Sequence, residues 1–336
     1  MTPKRRIIPI FIPHLGCPND CVFCNQKRIS GALRPASPED VKKTLAEGLR
    51  RVPEGETVEA AFYGGSFTAI PPDEQEALLG AVLPFLRSGA LSSVRLSTRP
   101  DCVDAGTLSR LRRYGVGTVE LGVQSMCPDV LALSKRGHTP EDAERAARLV
   151  KEAGFSLILQ MMTGLPGDTP EKSLYTAEKL VSMHPDGVRV YPTVIVEGTE
   201  LFDMWRAGLY REHTVEAAVS LCARLLDVFE DAGVPVIRLG LNPTDELSGG
   251  AAAGGAYHPA FGELVASRRY LEKARAALRE EGAGDRVTLL VAPGQVSAVT
   301  GQKRCNLEAL AREFGIKDLR VREGDTPKGS VRVFLQ

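Results

Sequence analysis

Short apolar runs alternate with longer amphipathic stretches along most of the chain. The runs predict strands at Arg6–Ile12, Val58–Tyr63, Ser93–Thr98, Thr118–Val123, Ser156–Met161, Gly187–Val194 and Pro235–Leu239. Helical patterns lie between them. One begins at Pro38-Glu39-Asp40, where Ser37 is a natural N-cap; others begin near Pro71-Pro72-Asp73, Asp104, Thr139-Pro140-Glu141, Thr169-Pro170-Glu171 and Thr214. Thr-Pro-Glu occurs twice and reads as an N-cap, a proline at the first helical position and an acid in the first turn. Strands alternating with helices imply βα units and a parallel sheet. Seven strands are one short of a closed eight-unit barrel. An open dinucleotide-binding sheet fits the count as well, but its Gly-x-Gly-x-x-Gly turn is absent after the first strand, where a cysteine loop stands instead.

After Leu241 the texture changes. "LSGGAAAGGAYHP" (247–259) reads as a flexible Gly/Ala-rich loop. A long helical pattern, Ala260 to Glu281, follows. The end reads strand (Val287–Ala292), helix (Asn306–Phe314), strand (Leu319–Arg322) and strand (Val331–Leu335). The expected organisation is a barrel over 1–245, a loop and long helix packing on it over 246–284, and a small α+β appendage over 285–336.

The chain has 336 residues, room for one large α/β domain of ~250 residues and an appendage. Apolar residues make up 43%, enough for a sizeable core. Pro9 and Pro13 interrupt the opening apolar run, and no stretch approaches the ~20 apolar residues that cross a bilayer. A soluble, cytoplasmic protein is expected. The 42 basic and 42 acidic residues cancel, so net charge offers no argument for nucleic acid; a local basic patch remains open.

Seven cysteines is an odd number, and Cys102, Cys127, Cys222 and Cys305 are scattered. This is no disulfide framework. The other three cluster in "HLGCPNDCVFCNQKRISG", as Cys17-x3-Cys21-x2-Cys24. A structural zinc site wants four ligands. His14 could supply a fourth, yet zinc motifs usually come as two separated pairs, and no second Cys-x2-Cys exists. A [4Fe–4S] cluster is normally held by four cysteines, so three leave one iron open to another ligand. The residues alone leave cluster, zinc and inert thiols standing.

The spacing, with the aromatic Phe23 before the third cysteine, resembles the radical S-adenosylmethionine superfamily. Downstream, "STRPDCVDAGTLSRLRRYGVGTVELGVQSM", "KRGHTPEDAERAARLVKEAGFSLILQMMTGLPG" and "PDGVRVYPTVIVEGTELFDMWRAGLY" resemble the radical domain of the Elongator catalytic subunit, which modifies wobble uridine in tRNA. The likeness spans roughly residues 5 to 275. It rests on Arg99-Pro100-Asp101, Gly122-Val123-Gln124-Ser125, Arg136-Gly137-His138 and Tyr191-Pro192-Thr193. It implies an α/β fold, a partial (β/α)6 TIM-like barrel with the cluster after the first strand. The implied cofactors are a [4Fe–4S] cluster on Cys17, Cys21 and Cys24 and S-adenosylmethionine, which chelates the open iron and is cleaved to a 5′-deoxyadenosyl radical. An external electron donor of flavodoxin or ferredoxin type is implied too, with tRNA as a possible partner, no membrane, and an open oligomeric state.

The resemblance also implies ligand contacts. Gly64 and Gly65 stand where relatives hold the methionine ammonium through backbone groups. Ser66 stands where the superfamily often has an acid, and Ser97 is likewise a serine where relatives often have one. Glu120 and Gln124, four apart, point to one face of a strand, and Glu120 could meet the ammonium or form a salt bridge with Arg99 or Arg136. Arg136 matches an arginine that pairs with the methionine carboxylate. Gln160 matches a ribose contact, and Leu165-Pro166-Gly167 a turn shaping the adenine pocket. Tyr63, Tyr191 and Arg238, near strand C-terminal ends, are candidates for the substrate side. His14, His138 and His258 could serve in proton transfer but read as readily as hydrogen-bonded structure.

The chain departs from the Elongator pattern: its cysteine spacing is tighter, it has no expected room for an acetyltransferase domain, and no basic extension beyond Lys4-Arg5-Arg6. Three functions follow. The first is a radical enzyme acting on RNA, with Lys303, Arg304, Arg320, Arg322, Lys328 and Arg332 as a basic face or simply a solvated surface. The second is a radical enzyme acting on a small metabolite or porphyrin-like compound. The third is a non-enzymatic iron–sulfur scaffold, against which Gln124, Arg136 and Gln160 argue, since a scaffold needs no nucleoside pocket.

Overall fold

The computed structural model of the protein describes residues 5–18, 20–53, 55–241 and 250–335. Its strands are β1 (Arg5–Phe11), β2 (Thr57–Tyr63), β3 (Ser93–Thr98), β4 (Val116–Gln124), β5 (Ser156–Thr163), β6 (Gly187–Pro192), β7 (Val194–Val196), β8 (Val236–Leu239) and β9 (Ala252–Gly255), then β10 (Arg286–Val291), β11 (Asp318–Glu323) and β12 (Val331–Leu335). The first six and β8 form one sheet in the order β1-β2-β3-β4-β5-β6-β8, every neighbouring pair parallel. It curls into a half-barrel, as the alternating βα pattern predicts, with seven strands where the (β/α)6 pattern has six.

Two periods set this architecture. Within each strand, alternate residues point outward under the helices: Ala60 and Phe62, Val94 and Leu96, Val119 and Leu121, Leu157 and Leu159, all buried. The residues between them face the barrel interior, and there the strands carry charge: Glu59, Arg95, Glu120 and Arg189. The helices start where their caps predict. Ser37 accepts from Asp40 N at 3.2 Å while Asp40 accepts from Ser37 N at 2.9 Å, and Thr139 and Asp142 repeat the same box. Each such cap is worth about 1 kcal/mol and fixes where the connection ends and the helix begins.

Two expectations are corrected. The run Gly187–Val194 is not one strand. Pro192 closes β6, Thr193 N and Oγ1 both donate to Thr163 O (2.9 and 2.7 Å), and Val194 enters β7 in a different sheet. The Gly/Ala-rich stretch 247–259 is not all loop either. Ala252–Gly255 is β9, antiparallel to β7, and glycine is required at its end: Gly255 has φ +80°, and a Cβ there would lie 2.7 Å from Thr193 O. Residues 247–249 of that stretch fall outside the described residues.

The chain divides into two compact units, Met1–Thr214 with Val228–Tyr257, and Val215–Asp227 with His258–Gln336. This differs from expected boundaries at 245 and 284. The long helix, Phe261–Glu281, shares a core with the terminal strands: Tyr270, Leu271, Ala274 and Leu278 pack with Val287, Leu289, Val291, Leu310 and Leu319. In that unit β10 lies between a parallel β11 and an antiparallel β12. Among the described residues no helix is long and apolar enough to cross a membrane.

Candidate active site

The loop after β1 is fastened to the turn after β2 by three backbone hydrogen bonds. Ile12 N donates to Tyr63 O (2.8 Å), His14 N to Gly64 O (2.8 Å), and Ser66 N to Leu15 O (2.9 Å). The contact is too close for side chains. A Cβ on Gly65 would lie 2.4 Å from Leu15 O and 2.6 Å from Ile12 O, and one on Gly16 (φ +73°) 2.3 Å from Ser66 O. Gly65→Ala is therefore expected to push the cysteine loop off its seat, costing about 1–3 kcal/mol by overpacking. Urea unfolding and the iron bound after anoxic reconstitution check this; full iron at unchanged stability would refute it.

The three thiols open on one cavity of about 460 Å³. Cys17 is exposed, Cys21 buried and Cys24 half-buried. Arg136 Nη1 donates to Cys21 Sγ at 3.5 Å, and Gln26 Nε2 to Cys24 Sγ at 3.3 Å. Burial pushes the Cys24 thiol up to about 12, and the nearby Cys21 and Cys17 thiols add to it against the hydrogen bond from Gln26. Burial raises Cys17 as well, with Cys21 again adding. The turn between Cys21 and Cys24 is tied down on both sides, by Val22 N to Ser134 O (3.2 Å) and Leu201 N to Val22 O (2.8 Å).

Most of the expected site residues meet around this cavity: Phe23, Gly64, Gly65, Ser66, Ser97, Gln124, Arg136 and Gln160 line it, as do Tyr63, Tyr191 and Arg238. Leu165 does not. It is buried with Cys127 and Val130, and Phe23 packs against that cluster, so Leu165 acts from behind the wall. Ser66 and Ser97 are already engaged. Ser66 Oγ lies 3.2 Å from Thr98 Oγ1 and accepts from Arg99 N at 3.3 Å; Ser97 Oγ accepts from Gln160 Nε2 at 3.4 Å.

Gln124 reaches the cavity by an unexpected route. A register shift between Gly122 and Gln124 breaks the period-two pattern of β4, and Gln124 sits at φ +67°. A non-glycine residue in that region stores strain, a frequent mark of functional sites. Its Oε1 is buried with no hydrogen-bond partner among the described residues. Arg136 Nη2 donates to Gly122 O at 2.7 Å; a Cβ on Gly122 would lie 2.7 Å from that Nη2, so a side chain there would displace the guanidinium.

Glu120 lies outside the cavity lining. It is fully buried, and its partners are neither Arg99, which pairs with Asp101, nor Arg136. Arg95 Nη1 donates to its Oε1 at 2.9 Å, Arg189 Nη2 to the same oxygen at 2.9 Å, Tyr63 Oη at 3.0 Å, and Gln160 Nε2 to its Oε2 at 2.8 Å. Arg95 also grips Glu59, through Nε at 2.8 Å. Two acids and two arginines thus balance inside the barrel. Burial opposes the charge on Arg189, but Tyr191, Glu120 and Tyr63 outweigh it and raise its pKa; burial and the Glu120 charge raise Tyr63, so its phenol keeps its proton. The sequence reading passed over Glu59, Arg95 and Arg189. The signal was there: a single charge in the middle of each apolar run, "TVEAAFY", "SVRLST" and "GVRVYP".

Of the histidines, His14 Nε2 accepts from Gln26 N (3.0 Å) and His258 Nδ1 from Ala260 N (3.1 Å). His138 is buried with Nε2 at 3.1 Å from Val123 O. Burial, then Arg136 and Arg99, lower its pKa to about 4. The folded protein holds this ring neutral, so its stability is complete above pH ~6.5 and falls between pH ~6.5 and ~4, at up to about 1.4 kcal/mol per unit. A His138→Gln variant should lose that part of the acid sensitivity in unfolding measured across this window; an unchanged slope would refute the assignment.

Comparison with known proteins identifies the family. Residues 11–180 match the Radical SAM superfamily, half of the chain, and residues 185–273 the Radical_SAM C-terminal domain. The chain belongs to the radical SAM superfamily. Among relatives of this radical SAM protein is Elongator complex protein 3 of Schizosaccharomyces pombe, 30% identical over 213 residues, 56% of this chain and 39% of that protein. Another is the tRNA uridine(34) acetyltransferase of Methanocaldococcus jannaschii, 34% identical over 184 residues, 49% of this chain and 34% of that protein. The chain spans well under two thirds of the length of each. In fold it is similar to the archaeal Methanocaldococcus infernus Elp3 with an N-terminal deletion (TM-score 0.63, 22% identity, 82% of this chain and 64% of that one). It is also similar to coproporphyrinogen III oxidase from Escherichia coli (TM-score 0.50, 18% identity, 69% and 53%).

Proposed function

We infer that this radical SAM enzyme holds a [4Fe–4S] cluster on Cys17, Cys21 and Cys24, binds S-adenosylmethionine beside it and acts on a uridine of tRNA. The carrying observation is that three thiols, the unpartnered Oε1 of Gln124 and the Arg136 guanidinium line one cavity. Thiols bind a metal as thiolates, and soft sulfur donors suit iron–sulfur clusters. When bound, the cluster supplies one electron to the sulfonium, which cleaves to methionine and a 5′-deoxyadenosyl radical. The chain's own residues do the rest. Gln124 Oε1 offers an acceptor for an ammonium or hydroxyl. Arg136 offers its guanidinium to a carboxylate near Cys21, with Gly122 O and the Gly122 backbone fixing its angle. Tyr63 and Tyr191, both protonated, wall the cavity toward the substrate side. The tRNA uridine reading is supported by the Methanocaldococcus jannaschii relative, a tRNA uridine(34) acetyltransferase.

The test is anoxic reconstitution with iron and sulfide, reduction with dithionite, addition of S-adenosylmethionine with and without bulk tRNA, then chromatography of 5′-deoxyadenosine and of the digested tRNA. Product that rises with tRNA, with a new uridine derivative in the digest, is the expected result. Product independent of tRNA and an unchanged digest would exclude the RNA substrate. Arg136→Ala should retain iron while binding S-adenosylmethionine at least tenfold more weakly, the loss of about 1.5–3 kcal/mol expected for a charged hydrogen bond.

A further inference from the structure

The second unit presents an open sheet face whose chemistry the radical site does not use. In the sheet β11-β10-β12, Val287, Leu289, Val291 and Leu319 point to the helices and form the core. Strand periodicity sends the alternate residues to the other side. There the register aligns three rows: Asp318 beside Arg286, then Arg320, Thr288 and Phe334, then Arg322, Leu290 and Arg332. The four arginines are exposed, and Phe334 is 54% exposed, a large aromatic with no core to fill.

Charge on this face runs one way. Its one acid, Asp318, is held by Arg320 at 2.7 Å. Arg332 Nη1 donates to the Asp325 carbonyl at 3.4 Å, and among the described residues it shows no acidic partner. Among the described residues Arg286 and Arg322 show no acidic partner. Arg320 and Arg322 stand two residues apart on one strand, about 6.7 Å, on the scale of the repeat of an extended nucleic-acid backbone. Arg322 and Arg332 flank Leu290 from opposite strands, roughly 10 Å apart. A sheet face carrying arginines around an exposed aromatic ring suits unpaired bases, which stack on the ring while guanidinium groups meet phosphates. A second copy of this face would bring like charges together. Lys303, Arg304 and Lys328, expected in the same basic face, lie instead before the helix Cys305–Phe314 and in the β11–β12 connection.

We propose that this outer sheet face, centred on Phe334, Arg322 and Arg332, binds a single-stranded segment of RNA. The proposal rests on the reading of an RNA substrate, and assigns the RNA contact to a surface separate from the chemistry.

The test is fluorescence anisotropy of the full-length reconstituted protein with a labelled oligouridine of about 10 nucleotides, across a salt series. Wild type should bind with a salt-dependent affinity. Arg322→Glu with Arg332→Glu should reduce the slope of log K against log salt by about 1.4, two phosphate contacts at ~0.7 each. Phe334→Ala should weaken binding about tenfold with little change of slope, and Phe334→Tyr should restore it. Circular dichroism confirms that the variants are folded. The proposal is overturned if wild type does not bind, if the variants bind as wild type does, or if duplex RNA binds equally well and ignores Phe334. It is overturned as well if anionic phosphatidylserine vesicles bind and the oligouridine does not. A tRNA digest modified normally by the sheet variants, with unaltered oligouridine binding, would remove this proposal and spare the proposed substrate. Oligouridine retained through the sheet with no modified uridine would do the reverse.

Discussion

Arg95→Met will lower the stability of the barrel unit by about 3–5 kcal/mol, the cost of stranding a buried charge. Arg95 is 4% exposed and stands between two carboxylates, Glu59 at 3% and Glu120 at 0%. Methionine replaces the stem and removes five donors, so Glu59 loses its guanidinium partner and Glu120 one of its two. Arg189 still reaches Glu120, and Ser93 Oγ still donates to Glu59 at 2.9 Å, but a neutral hydroxyl does not replace the guanidinium charge. By contrast, replacing Arg34, which pairs with Asp40 at the surface, should hardly register, because solvent screens that pair. The single tryptophan, Trp205, lies in the barrel unit, so its fluorescence in a urea titration reads the relevant transition. A midpoint shift no larger than that of the Arg34 variant would mean that water or a rearranged Arg189 rescues the acids.

Cys21→Ala will leave no 5′-deoxyadenosine above the background of the assay. Of the three thiols Cys21 is the buried one, and it is the one that Arg136 addresses. Its neighbour Val22 is anchored to Ser134 and Leu201 by backbone bonds that do not depend on the thiol, so the loop keeps its course when the sulfur is removed. The variant should therefore fold, bind less iron per chain, and lose the visible absorption of an iron–sulfur centre. Measuring iron, absorption and product together separates lost ligation from lost fold. Product formed at the wild-type rate would exclude Cys21 as a ligand and with it the proposed cluster.

The strands of the barrel were legible because each is a short run that must be apolar on its helix side. Ser37, Thr139 and Thr169 announced helix starts by chemistry local to a few residues. What could not be read depended on distant partners. The break after Pro192 follows from pairing between β7 and a Gly/Ala segment some sixty residues away, which carries no apolar signal of its own. The extra residue in β4 is visible only against β5. Glu120 reads in the sequence as a carboxylate in need of a cation, but its cations, Arg95 on β3 and Arg189 on β6, are set by the sheet order and not by local spacing. The cysteine loop was legible as chemistry from spacing. Its seating on Gly65, where one methyl would collide with two backbone oxygens, was not.

The charged floor of the barrel also limits how this chain can change over generations. Glu59, Arg95, Glu120 and Arg189 come from four strands, and each neutralises another. A single replacement strands a charge, whereas exchanging the whole set for apolar residues of similar volume can be close to neutral. Drift at these positions must pass through costly intermediates or proceed by paired substitutions, so descendants should keep the four together or lose them together.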